Sequence, residues 1–252
     1  MAVVNTNVNA SVAQNALVKN ERSMNTAMER LSTGQRINAA ADDAAGLAIA
    51  SRMTSQIRGL ETGIRNANDA ISMINVADGA MVEVSNMLQR MRELALQSAN
   101  GTTTSDDRTY LNAEYKNLIG EIERIATNTQ WNGRSILDGS ANGTNDTTVK
   151  FQVGANGGQT IAVDFGNISQ DSGSGTTKFE PFEQSGTLTA GSFITAGTTA
   201  SAMTTASAAI TKIDSAITEV NTQRSTFGAA VNQLTYAVDN LASVKVNAEA
   251  SR

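Results

Sequence analysis

Between Met53 and Ala95 the apolar residues return every seven positions, at Met53, Leu60, Ala67, Ile74, Met81, Leu88 and Ala95. A second row, Ile57, Ile64 and Ile71, follows four residues behind; beyond Asp78-Gly79 it becomes Val84 and Met91, three behind, so the stripe shifts phase there. A third row, Met73, Ala80, Met87 and Leu94, widens the apolar face beyond a two-row seam. Period and width predict a long helix with more than one packing neighbour, about 63 Å from Met53 to Ala95 at 1.5 Å per residue. The same period returns near the other end at Ile213, Val220, Phe227, Leu234, Leu241 and Ala248, interleaved with Ile210, Ile217, Val231 and Val238. Arg224 and Lys245 stand in the interleaved row, so this helix either leaves its partners or meets a polar neighbour at those levels. Two stripes of matched length predict that the two ends of the chain pack together.

A shorter helix is predicted from Leu111, Tyr115, Leu118, Ile122 and Ile125, with a cap in Ser105-Asp106-Asp107 and a helix stop before it at Asn100-Gly101-Thr102. Residues Ala44 to Thr129 therefore read as a helical hairpin. At the start, Val3, Ala10, Leu17, Met24 and Leu31 also repeat at seven, but Asn and Ser flank them. That segment is weakly amphipathic and is expected to need a partner. The middle, about Gly139 to Thr205, changes character to Gly, Ser and Thr. Within it Val149-Phe151-Val153 and Ile161-Val163-Phe165, either side of Gly154-Ala155-Asn156-Gly157-Gly158, predict a β-hairpin. Glu180-Pro181 and the stretches DSGSGTTK and TAGTTASA read as surface loop. The fold class is thus mainly α: an elongated antiparallel helical bundle or coiled-coil rod with a small β-hairpin region.

Composition sharpens the picture. Aromatic residues are 4% of the chain, too few for the bulky core of a ball-like domain, which favours long helices side by side. Cysteine and histidine are both absent, which excludes disulfides, thiol nucleophiles and thiolate metal sites, and removes the usual general base. The net charge of −5 arises from 24 acidic and 19 basic residues without a basic block, so nucleic acid is not an expected partner. No run approaches the ~20 apolar residues that span a bilayer, and the first residues lack the charged and apolar regions of a signal peptide.

The acidic pair Asp42-Asp43 sits before the long helix, in INAAADDAAGLAIASRM. Catalysis would need convergent side chains, whereas neighbours on a helix point about 100° apart; carboxylates there instead satisfy the first N–H groups of the helix. Small residues around Gly46 permit close backbone approach at this joint. Asp138-Gly139-Ser140-Ala141-Asn142-Gly143 resembles the start of a calcium loop, but Val149 stands where the closing Glu belongs. The glycines of GANGGQT and GSGTTK read as turns rather than as a phosphate cradle. Arg90, Arg92 and Glu93 lie off the main stripe as a solvated face, and Leu96 beside them fits a partner surface.

These residues carry a family resemblance. From Leu31 to Met53, LSTGQRINAAADDAAGLAIASRM closely resembles the N-terminal signature of bacterial flagellins. IRNANDAISMINVADGAMVEVSNMLQRMRELALQSANGT, IATNTQWNGRSILDG, FQVGANGGQTI and Ile213 to Ala229 continue it in the family's order. The resemblance covers everything except about Asn167 to Thr205. It implies a structural subunit, not an enzyme, that polymerises into the flagellar filament for motility. Its partners would be further copies of itself, the flagellar export apparatus, a chaperone and the filament cap, with no cofactor and no membrane insertion. Export would proceed without a cleavable signal peptide, and the subunit would end in the extracellular filament.

Residue by residue, the resemblance implies an inner-tube helix and spoke over 1–43 and the N-terminal part of a rod-like outer-tube domain over 44–138. A β-hairpin and short variable region follow over 139–205, and the rod's C-terminal helix over 206–252. It also implies a further helix beyond Arg252 to partner Val3 to Leu31. Flagellins of several bacterial groups are recognised by an animal Toll-like receptor through the segment resembling LQRMRELALQSAN, which places Arg90, Leu94 and Glu114 on a receptor or inter-subunit contact. A hook-filament junction protein shares the terminal helices but matches the Leu31 to Met53 signature less well. A secreted coiled-coil adhesin would need a binding platform, and the single tryptophan, Trp131, lies inside the flagellin-like TQWNG turn. The protease carried by some flagellins is excluded, because its HExxH site requires histidine.

Overall fold

In a computed structural model of the protein, residues 7–143, 146–169 and 199–252 are described, with backbone alone for 199–202. The predicted loop pieces DSGSGTTK and Glu180-Pro181, the first half of TAGTTASA, and the first residue of the N-terminal row, Val3, lie outside them; the second half of TAGTTASA, from Thr199, is helix and not the loop expected. Among the described residues the chain is mainly α, with four helices and two small antiparallel strand pairs. The helices are α1 Val8–Thr33, α2 Ala44–Ala99, α3 Ser105–Asn128 and α4 Thr199–Ser251; the strands are β1 Gln130–Trp131, β2 Arg134–Ser135, β3 Thr148–Gln152 and β4 Thr160–Asp164. The chain divides into two compact units, one of residues up to Ile57 with Ala248–Arg252, the other Arg58–Asn247.

The larger unit holds the core. Leu60, Ile74, Met81 and Leu88 of α2 are buried, as are Ile213, Val220, Phe227 and Leu234 of α4, so most of both predicted rows face inward. Both rows weaken toward their far ends: Leu241 is half-buried, and in the smaller unit Met53 is too. Tyr115, Ile119 and Ile122 of α3 join the same cluster, with Ile136, Leu137, Val163, Phe165 and Ile168 closing it from the strands and loops.

Arg224 and Lys245 do meet polar neighbours. Arg224 Nε donates to Asp78 Oδ1 at 2.8 Å, and Lys245 Nζ lies 2.8 Å from Glu61 Oε1. Together with Arg92 to Asp214 at 2.6 Å, they run down α2 as they run up α4, which fixes the two helices antiparallel. The Lys245 hydrogen bond and charge hold the Glu61 carboxyl below its ordinary range. These pairs lie at the partly exposed edges of the helix contact and set register more than stability.

Thr104, one residue before the predicted cap, is the N-cap of α3: its hydroxyl accepts from Asp107 N–H while Asp107 returns a bond to the Thr104 N–H, a capping box. After α3, Asn132 (φ 51°) and Gly133 (φ 77°) make a two-residue turn joining β1 to β2, a second hairpin beyond the one predicted. The predicted hairpin forms with Val149 opposite Val163 and Phe151 opposite Ile161. Its tip rests on α2. A Cβ on Gly63 would stand 2.5 Å from the Val153 carbonyl oxygen, one on Gly59 3.0 Å from Ala155 Cβ, and Asn66 Nδ2 donates to Gln152 O at 2.9 Å. Gly59, Gly63 and Asn66 thus form one helix face cut small enough to seat the loop. From the other side Gln223 Nε2 of α4 donates to Asp164 O at 2.6 Å.

Candidate assembly surfaces

In the smaller unit, α1 begins at Asn7, whose side chain accepts from Ala10 N–H, and ends at Gly34 in the left-handed region (φ 69°). Nothing on α1 is buried. Leu17, Met24 and Leu31 of the seven-residue row are 69%, 58% and 86% exposed, and Val12 and Met28 are exposed beside them. An apolar stripe open to water along a whole helix is the signature of a surface that docks onto something else.

The two aspartates after α1 divide their work. Asp43 Oδ1 accepts from Gly46 N–H at 2.8 Å and so caps α2. Asp42 does not reach α2. Its Oδ2 accepts from Asn38 and Ala39 N–H at 3.2 and 3.1 Å, closing the turn before the helix. Those two backbone bonds, with the positive charge of Arg30 4.0 Å away, lower the Asp42 pKa. The turn is therefore at full strength above the ordinary carboxylate range and is lost as pH falls through the lowered value. A Cβ on Gly46 would come within 2.9 Å of Asp43 Cγ and 3.0 Å of Ile37 Cδ1, so a larger residue must displace the cap.

In the larger unit, Arg90 of α2 reaches Glu114 of α3: Nε donates to Glu114 Oε1 at 2.9 Å and Nη1 to Glu93 Oε2 at 2.9 Å. Glu114 first and then Glu93 raise the Arg90 pKa further. Leu94 corrects the sequence reading. It is 1% exposed and belongs to the core, so it supports this face from beneath and offers no contact to a partner. Leu96, 48% exposed, is the apolar residue that stands free nearby in sequence.

The loop that resembles a calcium site spends its carboxylates on itself. Asp138 Oδ1 accepts from Ser140 N–H and Oγ–H, and Asp146 Oδ1 from Thr148 N–H. Among the described residues no cluster of metal-ligating side chains is present. Gly139 (φ 86°) lies where a Cβ would strike Asn167, and Asp138 pairs with Asn167 in a β-bridge, so the loop fastens the return of the hairpin. The ion-pair partners Asp78, Asp214 and Glu61 have no local sequence signal. Gly59 and Gly63 did have one, since glycines inside a strong helical period are unfavourable by about 1 kcal/mol against Ala unless something packs there.

Comparison with known proteins bears on the whole chain. The bacterial flagellin N-terminal helical region matches residues 4–142, and the bacterial flagellin C-terminal helical region matches residues 210–252. Flagellin A of Vibrio cholerae serotype O1 is 49% identical over 168 residues, 67% of this chain and 43% of that protein, so the chain spans less than half of that relative's length. The flagellin of Halalkalibacterium halodurans is 39% identical over 249 residues, 99% of this chain and 83% of the relative. The crystal structure of Bacillus cereus flagellin superposes with a TM-score of 0.53 at 32% identity, covering 70% of this chain and 88% of that one. A family match over more than half of its residues, and a relative aligned along nearly all of its length, establish that the chain belongs to the bacterial flagellin family.

Proposed function

We propose that this chain is a structural subunit that self-assembles into the filament of the bacterial flagellum. In this reading α1 and the turn through Asp42, Asp43 and Gly46 form the segment that orders against neighbouring copies. The observation that carries it is the apolar stripe of α1, exposed from end to end. A helix with no buried residue draws little stability from its own chain, so its ordering cost is offset only on docking, which disfavours premature polymerisation. Delivery to the outside by the flagellar export apparatus, with a chaperone and a filament cap, belongs to the same reading.

The absence of cysteine makes a direct test simple. Leu17→Cys and Leu31→Cys are expected to react quickly with a thiol reagent in the monomer and slowly after the chain is grown onto sheared filament seeds. Equal reactivity in both states, with elongation seen by electron microscopy, would remove α1 from the interface.

A second reading rests on the larger unit. We propose that the face carrying Arg90 and Glu114, both about half-exposed and locked together, is recognised by the flagellin-sensing Toll-like receptor. An Arg fork held in place by a carboxylate is a preorganised anchor. Glu114→Lys, which repels Arg90, is expected to reduce receptor signalling several-fold and leave the unfolding midpoint nearly unchanged. Unaltered signalling would overturn this second reading alone.

A further inference from the structure

Four Asn-Gly pairs occur in the chain: Asn100-Gly101, Asn132-Gly133, Asn142-Gly143 and Asn156-Gly157. A glycine after asparagine leaves its backbone nitrogen unshielded, so that nitrogen can close on the asparagine's own side-chain carbonyl carbon. Whether it does so depends on how firmly each partner is held.

Three of the pairs are restrained. Asn100 Oδ1 accepts from Thr102 N–H at 3.2 Å, while its carbonyl accepts from Arg108 Nη2 at 3.2 Å. Asn142 donates through Nδ2 to Asp146 Oδ2 and through its backbone N–H to the Asp146 carbonyl. Asn132 sits at φ 51° in a two-residue turn clamped by the pairing of Trp131 with Arg134. Asn156 has neither the side-chain bonds of Asn100 and Asn142 nor the left-handed φ of Asn132. It is exposed, and among the described residues its side-chain amide makes no hydrogen bond; Gly157, like Gly133, donates none from its N–H and has open space where a Cβ would be.

The hydrogen bonds at this tip run instead through the Asn156 backbone. Its N–H donates to Gln159 Oε1 at 3.0 Å and its carbonyl accepts from Gln152 Nε2 at 2.6 Å. Gln152 also donates to the Gly154 carbonyl, beside the Val153 and Ala155 contacts to Gly63 and Gly59. The backbone of Asn156 is thus the knot that shapes the loop seated on α2.

We infer that Asn156-Gly157 is a self-modification site, the first asparagine of the chain to pass through a succinimide, and that its conversion loosens the hairpin tip from α2. The Gly157 nitrogen bonds to Asn156 Cγ, the Cγ–Nδ2 bond breaks, and Nδ2 leaves as ammonia carrying the Gly157 proton. Water then opens the ring at either carbonyl, giving aspartate or isoaspartate. Both add one negative charge. Isoaspartate also routes the main chain through Cβ, which moves the Asn156 carbonyl away from Gln152.

The test is to incubate the purified chain in mildly alkaline buffer and follow all four sites by peptide mass mapping and enzymatic isoaspartate methylation. Asn156 is expected to convert several-fold faster than the other three. Gly157→Ala, which the open space and the absence of a positive φ allow, is expected to suppress it. The converted form, separated by its added charge, should exchange the Val153 amide several-fold faster, with α3 unchanged. Earlier conversion at any other Asn-Gly pair, no conversion at all, equal rates with Gly157→Ala, or unchanged Val153 exchange would each overturn the inference.

Discussion

Phe227→Ala is expected to lower the stability of the Arg58–Asn247 unit by about 3–5 kcal/mol, the range for truncating a fully buried Phe. Phe227 is 1% exposed on the inner row of α4, and its ring lies 5.6 Å from that of Phe165, tilted by 48°, just beyond the end of β4. Such a pair adds about 0.5–1.5 kcal/mol to the burial of each ring. Removing the Phe227 ring leaves Phe165 facing a void, and Phe165 is itself fully buried, so the hairpin loses its packing on α4 as well. Phe227→Leu keeps most of the volume and should cost less than about 1.5 kcal/mol. Trp131 is the only tryptophan and packs against the same core, so its fluorescence in a urea titration reports this unit. The midpoint should fall sharply for Ala and slightly for Leu at equal slope. Equal losses would mean that the ring's size and partner are immaterial.

Phe227 was legible because an apolar residue returning every seven positions records which side of a helix is inside. The rows containing Ile74, Met81, Leu88, Ile213, Val220 and Leu234 were read in the same way. Periodicity says nothing, however, about what lies opposite. Arg224 broke its row, and the sequence left open whether it marked a departure or a polar neighbour; Asp78, 146 positions away, decided it. Leu94 shows the converse error. A resemblance to a recognised segment placed it on a contact, although its own row already marked it as core, and the buried position follows the row. Asp42 and Asp43 were indistinguishable as neighbours in sequence, because their separate tasks depend on where the turn from Gln35 brings the Asn38 and Ala39 amides.

The joint between α2 and α3 depends on a residue that no sequence pattern singled out. Arg108 is 4% exposed, and its guanidinium has Nε donating to the Ser98 carbonyl at 3.1 Å and Nη2 to the Asn100 carbonyl at 3.2 Å. Those carbonyls belong to the C-terminal end of α2 and the residue after it, where peptide oxygens lack partners within the helix and the helix dipole favours a cation. Bonds of this charge-assisted kind are worth about 1.5–3 kcal/mol each, and a buried acceptor left without its donor costs about 1–3 kcal/mol. Arg108→Ala should therefore destabilise the larger unit by at least about 3 kcal/mol. Arg108→Met restores the apolar stem without the donors and isolates their share, while Arg108→Lys supplies one compact charge in place of a planar fork and should recover only part of the loss. Amide exchange in the Asn100–Thr104 turn is expected to rise in step with the loss of stability, in the order Lys, Met, Ala. A Met variant as stable as the parent would show that Arg108 contributes through its stem alone.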